Sequence, residues 1–206
     1  MNLDWYRANK ISLDYSVGID EVGRGPLAGP VVAAAVWISS KLAMQLEKDG
    51  KLIIRDSKKM TPLQRRKVVD WMRQQPRELL RYAIDQASVE EVDRLNILNA
   101  ALLAMERAHD LLELREKYAL VDGNRAPDLK NTEVRTVIKG DDKVLSVSLA
   151  SIIAKEHRDA LMRQLAAEYP HYGWETNVGY GSRQHLQAIS MHGITPHHRK
   201  TFCRTR

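Results

Sequence analysis

The chain has almost no cysteine or phenylalanine and no long apolar run. Cys203 is the single cysteine and Phe202 the single phenylalanine among 206 residues. One cysteine excludes an internal disulfide framework and any zinc site that needs several cysteines. The start, MNLDWYRANK, lacks the apolar core of a secretory signal, and the longest weakly polar run, residues 26–38, is too short to span a bilayer. These absences predict a cytosolic protein without a membrane segment.

Positive charge is what the chain has in excess. Lys and Arg number 32 against 26 Asp and Glu, which gives a formal net charge of +6. Residues 51–81 alone hold ten cations and three acids. Four further cations lie within the last ten residues: Arg199, Lys200, Arg204 and Arg206. Such regions can be solvated faces, or a surface that follows the phosphates of a nucleic acid.

The order of hydrophobic patterns predicts an α/β fold with a central sheet flanked by helices. Strands are predicted at 17–19, 30–38, 80–84, 118–121 and 134–138. Helices are predicted at 62–74 after an N-cap at Thr61, from the capping-box pattern at 88–91 to 112, at 146–168 and at 184–190. The length fits one domain, with a core over 1–169 and a small C-terminal helical extension over 170–206.

Carboxylates stand at or near the ends of three predicted strands. Asp20 and Glu21 follow the first strand. Asp122 ends the fourth, and Asp141 and Asp142 follow the fifth. Two-metal phosphoryl transfer needs several such oxygen ligands, since Mg²⁺ or Mn²⁺ would bridge them to a phosphate. The alternative is that these acids form turns, which fits Asp122 before Gly-Asn best.

Asp20 and Glu21 are neighbours, so regular strand geometry would send their side chains to opposite faces of the sheet. The turn that follows, Gly23-Arg24-Gly25, is expected to relax that rule and let both side chains reach one site. The same turn fits a tight link between two strands or close backbone approach to a phosphate or sugar, and both can hold. It is not a dinucleotide fingerprint, because a strand and not a helix follows it.

Several blocks of the sequence resemble, in family order, the bacterial ribonuclease HII family of type 2 ribonucleases H. The first is GIDEVGRGPLAGPVVAAAV at 18–36. The others are RDSKKMT at 55–61, NILNAALLAM at 96–105, VDGN at 121–124, KGD at 139–141, ASIIAK at 150–155 with Arg158-Asp159, GYG at 179–181 and GITP at 193–196. The resemblance runs from about residue 17 to the C-terminus, which makes it far more specific than one motif.

The resemblance implies a ribonuclease H-like fold: a mixed five-stranded sheet flanked by helices, with a small C-terminal helical extension. It implies a metal-dependent endoribonuclease that cleaves the RNA strand of RNA–DNA hybrids. It also implies incision 5′ of single ribonucleotides in duplex DNA, as in ribonucleotide excision repair, leaving 3′-hydroxyl and 5′-phosphate ends. The implied cofactors are two Mg²⁺ or Mn²⁺ ions, and a monomer suffices for this chemistry.

The family's site residues carry over by motif position. The implied catalytic and metal-binding residues are Asp20, Glu21, Asp122 and Asp141, the last because it directly follows Lys-Gly. The implied nucleic-acid contacts are Gly23, Arg24, Gly25, Lys58 and Tyr180. Reading the 2′-hydroxyl is physically necessary, because only that group marks a lone ribonucleotide within DNA.

The chain departs from the family pattern at Asn177-Val178, where His-Lys is usual before Gly-Tyr-Gly. A cation expected beside the substrate is therefore absent. His197-His198-Arg199 is interpreted as a basic surface or a structural pair. Two rival functions are a nuclease or integrase of related fold that acts on plain DNA, and a hybrid-binding module without activity. The second would be marked by a missing carboxylate, and none of the four is missing.

Overall fold

The computed structural model describes residues 3–203, and in that range five strands form one mixed sheet. The strands are β1 (Ser16–Val22), β2 (Val31–Ile38), β3 (Leu80–Ala87), β4 (Tyr118–Asp122) and β5 (Glu133–Val137). Their order across the sheet is β3-β2-β1-β4-β5. The first three pair antiparallel, whereas β4 runs parallel to β1 and β5 parallel to β4. The predicted mixed five-stranded α/β fold is confirmed.

Helices cover both faces of the sheet. They are α1 (Asp4–Asn9), α2 (Ser40–Asp49), α3 (Pro62–Arg73), α4 (Val89–Leu95), α5 (Ile97–Asp110), α6 (Gly140–Lys143), α7 (Leu145–Glu168), α8 (Trp174–Asn177) and α9 (Arg183–His192). The sequence did not predict α2. Within residues 3–203, no helix combines the length and apolar character needed to cross a bilayer.

Alternation along β1 explains how the two helical layers attach. Val17 and Ile19 lie in the cluster that also holds the buried face of α5. Gly18 faces the opposite layer, where a Cβ atom would come 2.3 Å from the backbone of Ser146 in α7. Only a glycine lets α7 approach the central strand this closely. The centre of the sheet is thereby sandwiched between α5 and α7, which fixes both helices relative to the ends of β1 and β4.

Side-chain caps set the helix boundaries. Thr61 caps α3 and forms a capping box with Gln64, which confirms the predicted start. One long helix was predicted after residue 88, but the helix is interrupted at Asn96, whose φ is 66°. The Asn96 side chain accepts hydrogen bonds from the backbone N–H groups of Leu98 and Asn99. It therefore ends α4 and caps α5. The apolar residues on both sides of Asn96 continue the helical spacing, so the sequence did not predict this break.

Two residues of the predicted basic surfaces are buried. Arg65 bonds Glu156 and Asp159 of α7. Arg199 is fully enclosed by main-chain carbonyls, so the interpretation of His197-His198-Arg199 as a basic surface is wrong. The alternative, a structural role, holds for His198: its Nε2 atom lies 3.0 Å from the Nε2 atom of His185. Arg204 and Arg206 lie outside the described residues.

Candidate active site

Asp20 and Glu21 lie within regular β-structure. Asp20 pairs opposite Ala34 of β2, and Glu21 opposite Ala33. The expected relaxation of strand alternation is therefore wrong, because pairing continues without a bulge to Val22. Asp20 points to the α7 layer, as Gly18 does, and is only 5% exposed.

The two carboxylates have different surroundings on their two faces. The Asp20 Oδ1 atom accepts the backbone N–H of Glu21 at 2.8 Å, and Ser151 of α7 bonds its carboxylate. Glu21 lies over the α5 layer in a pocket that it shares with Leu98 and Asp122. The two acids thus approach the strand ends from opposite faces of the sheet.

Asp122 links the acids. It is the last residue of β4, the parallel neighbour of β1, and its Oδ1 atom accepts the backbone N–H of Gly140 at 2.7 Å. A Cβ atom at Gly140 would lie 3.4 Å from this same Oδ1 atom. Asp122 is therefore held by main chain while it faces the other three acids of the predicted set.

Asp141 reaches the site from a helix and not from a strand end. β5 stops at Val137, and Asp141 and Asp142 occupy the first turn of α6. Asp142 turns away and pairs with Lys59, with 2.5 Å between its Oδ2 atom and Nζ. Asp141 turns toward Asp122, whose charge raises its pKa. The structure thus separates the two neighbours, one into the acid cluster and one into a surface ion pair.

The electrostatics of the cluster oppose ionisation. Burial raises the pKa of Asp20 well above its ordinary value, and the charges of Glu21 and Asp122 raise it further. Burial also raises the pKa of Glu21, although Arg24 opposes this. The pKa of Asp141 rises through burial and the charge of Asp122. Mutual repulsion among desolvated carboxylates is the physical cause, and a bound cation would relieve it.

Two loops stand beside this cluster. Arg24 is half exposed, and its Nη1 atom lies 3.2 Å from the Glu21 Oε1 atom. Tyr180 is 45% exposed, and its ring lies 3.5 Å from the position of a Cβ atom on Gly25. The backbone N–H of Leu27 donates to the Gly179 carbonyl at 2.8 Å. The Gly23–Gly25 loop and the Gly179–Gly181 loop therefore lie side by side, although they are far apart in sequence.

Lys58 also lies near the acids. It is exposed at the turn Ser57–Lys59, and its charge counteracts the rise in the pKa of Asp141. The structure thus brings together every site residue that the sequence suggested. It adds Asp56, whose charge also raises the pKa of Asp141, and Ser151. Both occur in the quoted blocks RDSKKMT and ASIIAK, so their position in a motif was the available signal.

This sheet order, with carboxylates gathered where β1 and β4 end, defines the class of ribonuclease H-like hydrolases. The family model described as Ribonuclease HII matches residues 17–206. The chain accordingly belongs to the ribonuclease HII family, whose activity is that of a ribonuclease H on RNA–DNA hybrids.

Individual relatives agree with the family match. Ribonuclease HII of Pelagibacter ubique is 46% identical over 185 residues, which are 90% of this chain and 94% of that protein. The crystal structure of ribonuclease H2 from Pyrococcus horikoshii superposes with a TM-score of 0.72 at 28% identity, over 90% of this chain and 92% of the other. Bst-RNase HIII in complex with Mn²⁺ shares the fold, with a TM-score of 0.71 at 17% identity, over 98% of this chain and 71% of that one.

Proposed function

We propose that this protein, besides cleaving the RNA strand of hybrids, incises duplex DNA 5′ of a single embedded ribonucleotide. The products would carry 3′-hydroxyl and 5′-phosphate ends, and the reaction would use two divalent ions, Mg²⁺ or Mn²⁺. One chain supplies every residue needed, so we propose a monomer acting as one catalytic domain in the cytosol, in the removal of ribonucleotides from DNA.

The observation that carries the proposal is the position of Tyr180. Its half-exposed ring packs against Gly25, the residue that follows Arg24, which contacts Glu21. A ring here can stack on the sugar that follows a ribonucleotide, while glycine backbone approaches the 2′-hydroxyl. A nuclease that only followed phosphates would have no need of an exposed ring between two glycines beside its acids.

The donor set fits a hard divalent cation. Asp20, Glu21, Asp122 and Asp141 offer only oxygen ligands, which suit Mg²⁺ and Mn²⁺. In residues 3–203, no three side chains of His, Cys, Asp or Glu are already close enough together to hold one ion. Burial and the neighbouring charges raise the pKa of three of these acids. Bound ions would neutralise that charge, stabilise the negative phosphate and make an attacking water more acidic.

The protein's own groups would prepare the substrate. Lys58 and Arg24 would hold phosphates by charge, which positions the strand but reads no sugar. The Gly23–Gly25 loop and Tyr180 would recognise the ribose. Asp122, fixed by the Gly140 N–H, keeps its carboxylate in place at the end of β4. Recognition of the sugar would thus fall to the two glycine-containing loops, and cleavage to the four acids.

The decisive experiment maps products of a DNA duplex that contains one ribonucleotide, with Mg²⁺ and Mn²⁺ in turn. We expect one cut 5′ of the ribonucleotide and none in an all-DNA duplex of the same sequence. Equal cutting of the all-DNA duplex would instead support a plain DNA nuclease. Without added metal, we expect binding but no product.

Neighbouring variants test the assignment of the acids. Asp122→Asn and Asp141→Asn each remove one ligand charge, so we expect about a 100-fold or greater loss of cleavage. Asp142→Asn is the comparison variant, since Asp142 pairs with Lys59 at the edge of the cluster, and it should lose far less cleavage than either of the other two variants. Wild-type cleavage by Asp122→Asn would show that the site is wrongly assigned.

A further inference from the structure

Two arginines are buried beneath these two loops without an acidic partner. Arg158 and Arg199 are both 0% exposed. Across residues 3–203, neither guanidinium forms a salt bridge, and every hydrogen bond given by their side chains goes to a main-chain carbonyl. Burial lowers the pKa of Arg199 to about 9 and that of Arg158 to about 10. Such burial costs free energy that apolar residues would not incur, which calls for a reason beyond packing.

Arg199 holds the first loop. Its Nη2 and Nη1 atoms donate to the carbonyls of Gly23 at 2.6 Å and Arg24 at 3.0 Å. Its Nε atom donates to Gly29 at 2.9 Å. One planar guanidinium therefore ties the start of the Gly-Arg-Gly turn to Gly29, and a single ammonium group lacks the fixed fork of donors that does this.

Arg158 joins the two loops. Its Nε and Nη2 atoms donate to the carbonyls of Pro30 at 3.0 Å and Ala28 at 2.9 Å, on the first loop's return to β2. Its Nη1 atom donates to the carbonyl of Val178 at 2.9 Å, two residues before Tyr180. The close approach requires a glycine at position 23, since a Cβ atom there would lie 2.2 Å from the Arg158 Nε atom.

Val178 is where the second loop is strained. Its φ is 44°, in the left-handed region that β-branched residues avoid. Asn177 secures the turn from the other side: its side chain donates to the Tyr172 carbonyl at 2.8 Å and accepts the Gly179 N–H at 2.9 Å. In this chain the pair that replaces His-Lys thus shapes the backbone before Tyr180 instead of offering a cation.

We propose that Arg158 and Arg199 are positioning residues. Arg199 holds the Gly23–Gly25 loop, and Arg158 ties the segment that returns from it to the Tyr180 loop, so that both loops are in place before substrate binds. The proposal rests on the proposed function for its consequence, but the tie between the loops is itself a property of the folded protein. Two loops that already hold their bound conformation avoid the entropy cost of becoming ordered during binding. The cost of burying two guanidinium groups is thereby linked to recognition of the sugar.

The test compares Arg158→Lys with Arg65→Lys. Lysine keeps the charge but cannot reach three carbonyls at once. Arg65 is also buried, at 6% exposure, and bonds carboxylates of α7 and the carbonyls of Ser57 and Met60. None of these partners belongs to either loop, so Arg65→Lys controls for lost stability. For Arg158→Lys we expect kcat/KM on the single-ribonucleotide duplex to fall about tenfold relative to kcat/KM on a uniform RNA–DNA hybrid. In Arg65→Lys that ratio should stay at the wild-type value.

Hydrogen exchange gives a readout that needs no activity. The amides of Leu27 and Ala28 donate to the Gly179 carbonyl across the two loops. In Arg158→Lys we expect both amides to exchange faster, while Arg65→Lys leaves them protected. If the wild-type protein fails to incise the single-ribonucleotide duplex, the proposed function is wrong, yet exchange still decides whether the tie between the loops exists.

A second pair of variants covers the case in which Arg158→Lys does not fold. Gly23→Ala pushes a methyl group against the Arg158 guanidinium at a φ of 92°, whereas Gly50→Ala meets open space at a φ of 57°, which is also positive but less strained. Only Gly23→Ala should speed exchange at Leu27 and Ala28. Unchanged exchange and an unchanged substrate ratio in a folded Arg158→Lys or Gly23→Ala protein would overturn the proposal.

Discussion

The two ends of the sheet treat buried acids in opposite ways. Where β1 and β4 end, Asp20 is enclosed beside like charges, and its pKa is raised. Where β4 and β5 begin, Glu116 is also buried, but it accepts hydrogen bonds from His109 and Thr132. Although burial alone would raise the pKa of Glu116, these bonds hold it below its ordinary value. Folding opposes ionisation at the first end and favours it at the second, which distinguishes a site built for a ligand from one built for stability.

The largest effect should come from Asp20→Asn at the first end. The amide keeps an oxygen for the Glu21 N–H but removes one charge from a repelling cluster. We expect cleavage to fall by about 100-fold or more, while the midpoint of thermal unfolding rises. Activity assays and calorimetry without metal measure the two quantities. A lower melting temperature would mean that Asp20 stabilises the fold, and the contrast between the ends would fail.

The same chemical change at the second end, Glu116→Gln, should have the opposite result. It breaks the buried pair with His109, so we expect the free energy of unfolding to fall by about 2 kcal/mol with cleavage per folded molecule unchanged. Denaturant titration of both proteins measures this loss. Reduced cleavage at full folding would show that this end also serves catalysis.

The stability that Glu116 and His109 contribute should depend on pH in a defined window. Burial alone would lower the pKa of His109, but Glu116 outweighs it and raises that pKa above 6.5, so the contribution is lost as pH rises through the folded value. The pKa of Glu116 lies below 4.5, so its contribution is lost as pH falls through the folded value. The difference between wild type and Glu116→Gln should therefore be greatest between 4.5 and 6.5. A difference independent of pH would exclude an ion pair.

Local patterns were sufficient to predict most of the framework. The apolar β-branched runs of β1 and β2 and the Ala-, Ile-, Leu- and Lys-rich composition of α7 predict their conformations, and the structure agrees. By contrast, α2 was not predicted, although its buried residues Leu42, Ala43 and Leu46 follow helical spacing after an N-cap at Ser39. Helix boundaries set by a single side chain, as at Asn96, were likewise not predicted.

At the site, residue identities were predictable but their supports were not. Motif position was enough to suggest Asp20, Asp122 and Tyr180. Arg199 was counted among the exposed cations of the C-terminal tail, because arginine is seldom buried without an acidic partner, and Arg158 was noted only as part of a family block. The carbonyls that satisfy them lie 128 and 176 positions away in the chain, at Pro30 and Gly23. Such contacts arise only from the assembled fold, so no local pattern could reveal them.

The smallest effect should come from exposed lysines at the two ends of the sheet. Lys58 stands beside Asp141 at the acid end, whereas Lys130 stands exposed near Glu116. If Lys58 contacts a phosphate, Lys58→Ala should raise KM about threefold and reduce the slope of log KM against log salt by about 1, because one fewer counterion is released. Lys130→Ala should change neither quantity, since the substrate path begins at the other end. Equal effects of the two substitutions would mean that the net charge of the protein, and not a phosphate contact at Lys58, attracts the nucleic acid.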